Sequence, residues 1–236
     1  MNEPQPIFPS IKTVFFDAAG TLFHLPKGVG WHYGDVAARH GAVLSEQDLN
    51  RAFRNAWKRS TPPVETRIAR PDDDRSWWRA LVDDVLDECS GEPLPLDRDR
   101  YFAELYDEFA RPGIWELYPD VVETLEFLAG RFRLGVLSNF DGRLRPVLAD
   151  LGVAHYFQDW IISSEVGADK PSPWIFEKAL ASAGISASEA LHVGDDPVCD
   201  WEAAASAGWC TFRLDRPQNG LSDLRSWIAV AEGGAV

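Results

Sequence analysis

The sequence predicts a three-layer α/β fold around a parallel sheet, interrupted near its start by an all-helical unit. Three observations predict it. The run TVFF at 13–16 is β-branched and aromatic and stops at an aspartate followed by a Gly-Thr turn, as a strand buried on both faces does. Beyond Pro119, short apolar runs alternate with stretches of helical periodicity; strands and helices of this length alternate through right-handed crossovers into a parallel sheet. Between these regions the periodicity is helical throughout.

In order, WHYGDVAARH reads as a helix that ends at Gly41, a C-cap residue. Ser45 opens a capping box with Asp48, and Leu49, Ala52, Phe53, Ala56 and Trp57 then repeat at helical spacing. A third helix carries Trp77, Trp78, Leu81, Val82, Val85 and Leu86 on one face, and a fourth carries Phe102, Leu105, Tyr106 and Phe109 before Arg-Pro-Gly stops it. Residues 24–112 are therefore expected to form the helical insertion, with 1–23 and 113–236 making a Rossmann-like core. The core elements follow as helix 120–129, strand 134–138, helix 141–151, strand 159–163, helix 173–183, strand 190–194, helix 197–207 and strand 210–214, with a frayed Gly-Gly tail after Glu232.

Composition narrows the function. The chain has 236 residues, 45% of them apolar, which is ample for a core. Its net charge is −14, with no Lys/Arg stripe to neutralise a phosphate backbone, so nucleic acid is not an expected partner. The same field repels small anions, so a phosphorylated substrate requires a local positive focus. Cys89, Cys199 and Cys210 are odd in number and far apart, a pattern of reducing compartments. The opening MNEPQPIFPS lacks the basic start and apolar stretch of a leader, and no run approaches membrane-spanning length. A soluble, cytoplasmic monomer or homodimer acting on a small molecule is expected.

In an open parallel sheet, ligands bind beyond the carboxyl ends of the strands. The residues there are Asp17, Ser138-Asn139, Ser163 with Lys170 soon after, and Gly194-Asp195-Asp196, with Asp200 close behind. This is an inventory for phosphoryl transfer through a metal ion and a covalent aspartyl intermediate. Asp17 is the expected nucleophile, with Mg²⁺ suppressing the repulsion between its carboxylate and the phosphate. Asp195 supplies a second carboxylate ligand, and Asp196 or Asp200 ligates or holds coordinated waters. Thr21 and Ser138 hydroxyls, with nearby backbone N–H groups such as that of Ala18, are expected to bind phosphate oxygens. Asn139 is expected to join them in binding the substrate's phosphate, and Lys170 is the positive focus.

FFDAAGTL, VLSNFDGRL, GADKPSPWIFEKAL and HVGDDPVCDWEAAASAG resemble the four ordered motifs of the haloacid dehalogenase-like hydrolase superfamily, and the insertion resembles its small C1-type cap. SNFD-x-R-L, GD-x-x-x-CD and R-S-W-W are most similar to the branch containing the haloacid dehalogenase-like hydrolase domain-containing proteins. The resemblance implies Asp17 as nucleophile, the Ala19 carbonyl and Asp195 as Mg²⁺ ligands, Ser138 as the phosphate-binding hydroxyl and Lys170 as the lysine of the third motif.

Ala19 departs from that pattern. Phosphatases of the superfamily usually carry there a second aspartate, which protonates the leaving oxygen and later activates water. A positioned acid contributes ~10²–10⁴-fold, so its loss matters most for an alkoxide leaving group and least for an acyl phosphate or a phenol. His24 and His32, near the expected hinge, are candidate substitutes. A metal-free 2-haloacid dehalogenase, a phosphonoacetaldehyde hydrolase-like enzyme using Lys58 as a Schiff-base lysine, and a binding or regulatory protein are the other readings. Arg67, Arg70, Arg75 and Arg79 are candidates for gripping the substrate from above, while Trp77 and Trp78 are expected to pack rather than bind ligand.

Overall fold

The computed structural model describes residues 11–89, 94–216 and 218–231. The opening MNEPQPIFPS and the Gly-Gly tail lie outside the described residues. The strands are β1 (Thr13–Phe16), β2 (Phe23–His24), β3 (Glu116–Leu117), β4 (Arg133–Ser138), β5 (Asp159–Ile162), β6 (Ala190–Gly194) and β7 (Cys210–Arg213). TVFF is buried at every residue and forms the centre of a parallel five-stranded sheet of order β5-β4-β1-β6-β7. Phe16 stands opposite Val136 on one side and Val193 on the other. The carboxyl ends of β1, β4 and β6 therefore finish side by side, which gathers the residues that follow them.

Alternation along β1 sends its side chains into two separate layers. Val14 and Phe16 pack with Leu125 and Leu128 of α5 (Val121–Ala129) and with Leu224 and Ile228 of α10 (Leu221–Ala231). Phe15 packs on the other face with Ile175, Phe176 and Ala179 of α8 (Pro173–Ala183). Between these helices lie α6 (Leu144–Asp150), α7 (Ser163–Val166) and α9 (Ala203–Ser206). The expected three layers are present.

Residues 28–108 contain α1 (Gly28–Arg39), α2 (Glu46–Arg59), α3 (Arg75–Cys89) and α4 (Arg98–Glu108), whose buried side chains form a cluster of their own around Tyr33, Leu49, Leu86 and Leu105. The Ser45 hydroxyl caps α2 by accepting from the Asp48 N–H at 3.4 Å. The segments entering and leaving this unit pair antiparallel as β2 and β3, with Phe23 opposite Leu117. The sequence reading placed no strand there.

Two further differences have local causes. The helix expected at 197–207 begins instead as a π-turn over Pro197–Glu202 before α9 continues it. Both the Asp200 and Trp201 N–H groups donate to the Asp196 carbonyl, at 3.0 and 3.2 Å, and such wide turns are frequent at functional sites. The α10 helix lies past the last expected element, although Leu221, Leu224 and Ile228 carry the helical spacing.

Between α2 and α3 the chain leaves the insertion and lies on the core. The Arg70 N–H donates to the Ser164 carbonyl at 2.8 Å, and the Asp73 carboxylate accepts from the Gly142 N–H at 2.8 Å and the Ser164 hydroxyl at 2.5 Å. The buried Arg70 guanidinium sits between Asp74, at 2.8 Å, and Asp169. Burial pushes the Asp74 carboxyl up to about 6, with Arg70 pulling the other way and Asp169 and Asp141 adding to the rise. Because the folded state holds this proton more tightly than the unfolded chain, its contribution to stability is full below pH 4 and is lost as pH rises through 6. Asp74→Asn is therefore expected to stabilise the protein by about 1–3 kcal/mol at pH 7, with the gain mostly gone at pH 4. Urea unfolding at the two pH values checks it; a loss of stability at pH 7 contradicts it.

Candidate active site

Asp17 follows β1 directly, and its N–H donates to the Val193 carbonyl of β6 at 2.9 Å. The chain then folds back at once, the Ala18 carbonyl accepting from the Thr21 and Leu22 N–H groups at 3.2 and 2.7 Å. Gly20 makes this turn at φ +89°, and a Cβ there would lie 2.5 Å from an Asp195 oxygen. At Gly194 a Cβ would lie 2.3 Å from the Asp200 carboxylate. Both glycines are therefore spaces into which carboxylates press.

Lys170 is buried, and its Nζ donates to Asp17 Oδ1 at 2.7 Å and to Asp200 Oδ1 at 2.5 Å. Asn139 holds the lysine's backbone from both sides, donating to its carbonyl at 2.8 Å and accepting from its N–H at 2.6 Å. His192, on β6, lies with Nε2 2.8 Å from Asp200 Oδ1, while Asp200 Oδ2 accepts from the Asp196 N–H at 3.0 Å. Asp200 thus ties Lys170, His192 and the loop together.

The carboxylates of Asp17, Asp195 and Asp200 lie within 4.8 Å of one another. Burial is the largest influence on Asp17 and pushes its carboxyl up to about 6, with Lys170 opposing and Asp200 and Asp195 adding to the rise. Burial also raises Asp195, against the Thr21 hydrogen bond. At Asp200 the upward push of burial is outweighed by Lys170 and His192, so its carboxyl titrates well below the usual range. Burial works against the Lys170 ammonium too, but Asp17 and Asp200 more than reverse it. Three carboxylates facing one lysine leave excess negative charge in a buried space, and an all-oxygen donor set is the kind that suits Mg²⁺.

The expected residues take several places. Asp196 caps the π-turn, its Oδ1 accepting from the Val198 and Cys199 N–H groups at 2.8 and 2.7 Å, and it lines the cavity above Asp17 without joining the carboxylate cluster. The Thr21 hydroxyl donates to Asp195 Oδ1 at 3.0 Å, so it orients a carboxylate. Ala18 is buried in the turn, whereas Ser138, Asn139 and the exposed Ala19 line the cavity above Asp17. His24 stacks on Tyr118, and His32 is buried against Glu108; neither lines that cavity. Cys199 lines it, but burial pushes its thiol up to about 12, so it is no ready nucleophile. Cys89, Cys199 and Cys210 are all free thiols.

The cavity has a volume of about 490 Å³ and reaches from Asp17 into the insertion, each of whose helices contributes a wall: Tyr33, Phe53, Trp78 and Tyr106. Trp78, expected only to pack, faces this space. Of the cap arginines expected to grip substrate, none lines it: Arg67 pairs with Glu65, Arg79 with Asp83, Arg70 with Asp74, and Arg75 lies over the Tyr106 ring. The cations that do are Lys170, Arg143, Arg54 and Lys58. Arg143 is committed to Asp141 at 2.6 Å and to the Tyr106 carbonyl at 3.0 Å, its guanidinium 3.6 Å from the Tyr106 ring centre. The sequence signals for these were the R of SNFDGR and the four-residue step from Arg54 to Lys58.

A parallel α/β sheet with a lysine-paired aspartate at its central strand tip, under a helical insertion, defines a class of hydrolytic enzyme. The chain belongs to the haloacid dehalogenase-like hydrolase family, whose model matches residues 11–208. It is 34% identical over 208 residues to haloacid dehalogenase-like hydrolase domain-containing protein 3 of Danio rerio, covering 87% of this chain and 86% of that one. It is 33% identical over 203 residues to a phosphoserine phosphatase of Thermus thermophilus, covering 80% of this chain and 77% of that one. The fold is shared with L-2-haloacid dehalogenase from Xanthobacter autotrophicus, at TM-score 0.65 and 23% identity over 93% of this chain and 88% of that one. No helix among the described residues is long and apolar enough to cross a membrane.

Proposed function

We propose that this hydrolase is a Mg²⁺-dependent phosphohydrolase of a small phosphorylated metabolite, working through an aspartyl-phosphate at Asp17. The observation that carries the reading is the buried Asp17 carboxylate, fixed 2.7 Å from Lys170 and clustered with Asp195 and Asp200. Asp17, Asp195 and the Ala19 carbonyl would hold the ion, which supplies charge neutralisation between phosphate and nucleophile. Lys170 orients one Asp17 oxygen and leaves the other for attack on phosphorus. Asp17 and Asp200 keep the lysine charged, His192 holds Asp200, and the Ser138 hydroxyl and Asn139 stand at the cavity wall to receive phosphate oxygens. The helical insertion acts as a cap that excludes water from the aspartyl intermediate.

Supporting this reading over metal-free halide displacement is the negative charge left by three clustered carboxylates and one lysine. The Thermus relative, a phosphatase by name, points the same way. Purified protein is expected to hydrolyse acetyl phosphate and p-nitrophenyl phosphate with Mg²⁺ and to lose this activity in excess EDTA, with recovery on re-addition of Mg²⁺. Phosphate release that survives the chelator would contradict the Mg²⁺ requirement, and halide release from a 2-haloacid in EDTA would favour the dehalogenase reading. Absence of turnover under all conditions would favour a binding or regulatory role.

A further inference from the structure

The cavity above Asp17 is walled by rings and carries two cations without carboxylate partners. Tyr106, Phe109, Trp115 and Phe140 line it, Phe109 and Trp115 with ring centres 6.2 Å apart. This ring-lined side of the cavity offers the hydroxyls of a sugar phosphate few partners, which weighs against that class. An aromatic ring gains both area burial and favourable ring geometry in the same space.

The strand tip selects the same chemistry. With alanine at 19, no side chain at that position protonates the departing oxygen, and a phenolate departs without a proton far more readily than an alkoxide.

On α2, Arg54 and Lys58 stand one turn apart, line the cavity and are exposed. Their basic neighbours are engaged, Arg51 with Asp48 and Arg59 with Glu88. Arg54 and Lys58 have no carboxylate partner among the described residues, in a chain of net charge −14. Two such cations opening into one cavity draw an anion toward it.

Resting on the phosphohydrolase reading, we infer that the substrate is an aryl phosphate, a phenolic monoester whose ring lies among Tyr106, Phe109, Trp115 and Phe140 and bears an anionic group facing Arg54 and Lys58. An Asp17 oxygen forms a bond to phosphorus while the phosphorus–phenol oxygen bond breaks, the phenolate leaving with the electron pair and taking its proton from solvent. Water then attacks phosphorus, the bond to Asp17 breaks with its pair returning to the carboxylate, and the water's protons pass to phosphate and solvent. The sum is aryl phosphate plus water giving a phenol and inorganic phosphate.

Calorimetric titration with non-hydrolysable phosphonates in Mg²⁺ separates recognition from chemistry. Benzylphosphonate is expected to bind about 10-fold or more tighter than methylphosphonate, and 4-carboxybenzylphosphonate about 5-fold tighter again. The Arg54→Ala/Lys58→Ala variant should lose that last increment. Equal affinities for the methyl and benzyl compounds would overturn the aromatic assignment, and a carboxylate increment that survives in the double variant would overturn the role of the two cations. Acetyl phosphate hydrolysis by the same preparation is measured in parallel. Its absence overturns the hydrolytic reading itself, whatever the phosphonates do.

Discussion

Asp17→Asn is expected to lower turnover of acetyl phosphate by ~10⁴-fold or more while the protein stays folded. The amide has nearly the same shape as the carboxylate and still offers an oxygen to Lys170 Nζ, now 2.7 Å away. It also removes one of three clustered carboxylates, so no new uncompensated charge is left in the cavity. What disappears is the anionic oxygen proposed to attack phosphorus, and no neighbour stands ready to replace it: Asp200 is bound to Lys170 and His192, and Asp195 accepts from Thr21. Steady-state rates beside a thermal melt check both halves of the expectation. Residual activity above a few per cent in a folded variant would place the nucleophile elsewhere.

Ala19→Asp is expected to raise kcat/KM for alkyl phosphates by ~10²–10⁴-fold, with little change for acetyl phosphate. Ala19 is exposed toward the cavity that Asp17, Asp195 and Lys170 line, so a longer side chain enters space that is already open. A carboxyl placed there faces Asp17 and Asp195, and like charges favour its protonated form. That is the form a general acid needs near neutral pH. The comparison is informative because the two substrate types differ in how much they need the proton. An equal gain for both would show that the substitution acts on binding or metal affinity; no gain for the alkyl ester would mean that alanine at 19 does not limit the reaction.

Much of this candidate site was legible in the sequence because its pieces follow buried strands, directly at Asp17, Asn139 and Asp195 and a few residues on at Lys170 and Asp200. TVFF, LGVLS and ALHVG announce themselves by apolar content, and parallel pairing brings the residues after them together. Asp17, Asn139, Lys170, Asp195 and Asp200 were found that way. What escaped depends on contacts across the chain. Sequence spacing gives Asp196 and Asp200 equal claims on a metal, and only the π-turn decides that the first caps a helix while the second turns inward. The arginines at 67, 70, 75 and 79 drew notice by number, yet Arg70 is spent on docking the segment against Asp169. Lys58 drew notice only as a Schiff-base candidate, and Arg54 attracts none in a helix of mixed charge until the fold places both on the cavity. The strands β2 and β3, two residues each, are too short for any periodicity to show.

The most direct test of the account is to trap the phosphoryl group on the enzyme. Acetyl phosphate labelled in its phosphoryl group is mixed with the Mg²⁺-loaded protein, quenched in acid within one turnover, and the peptides are mapped by mass spectrometry. The account predicts label on Asp17 alone, lost on a chase with unlabelled substrate and never formed in Asp17→Asn. Continued turnover with no label on Asp17, or with label on another residue, would contradict it.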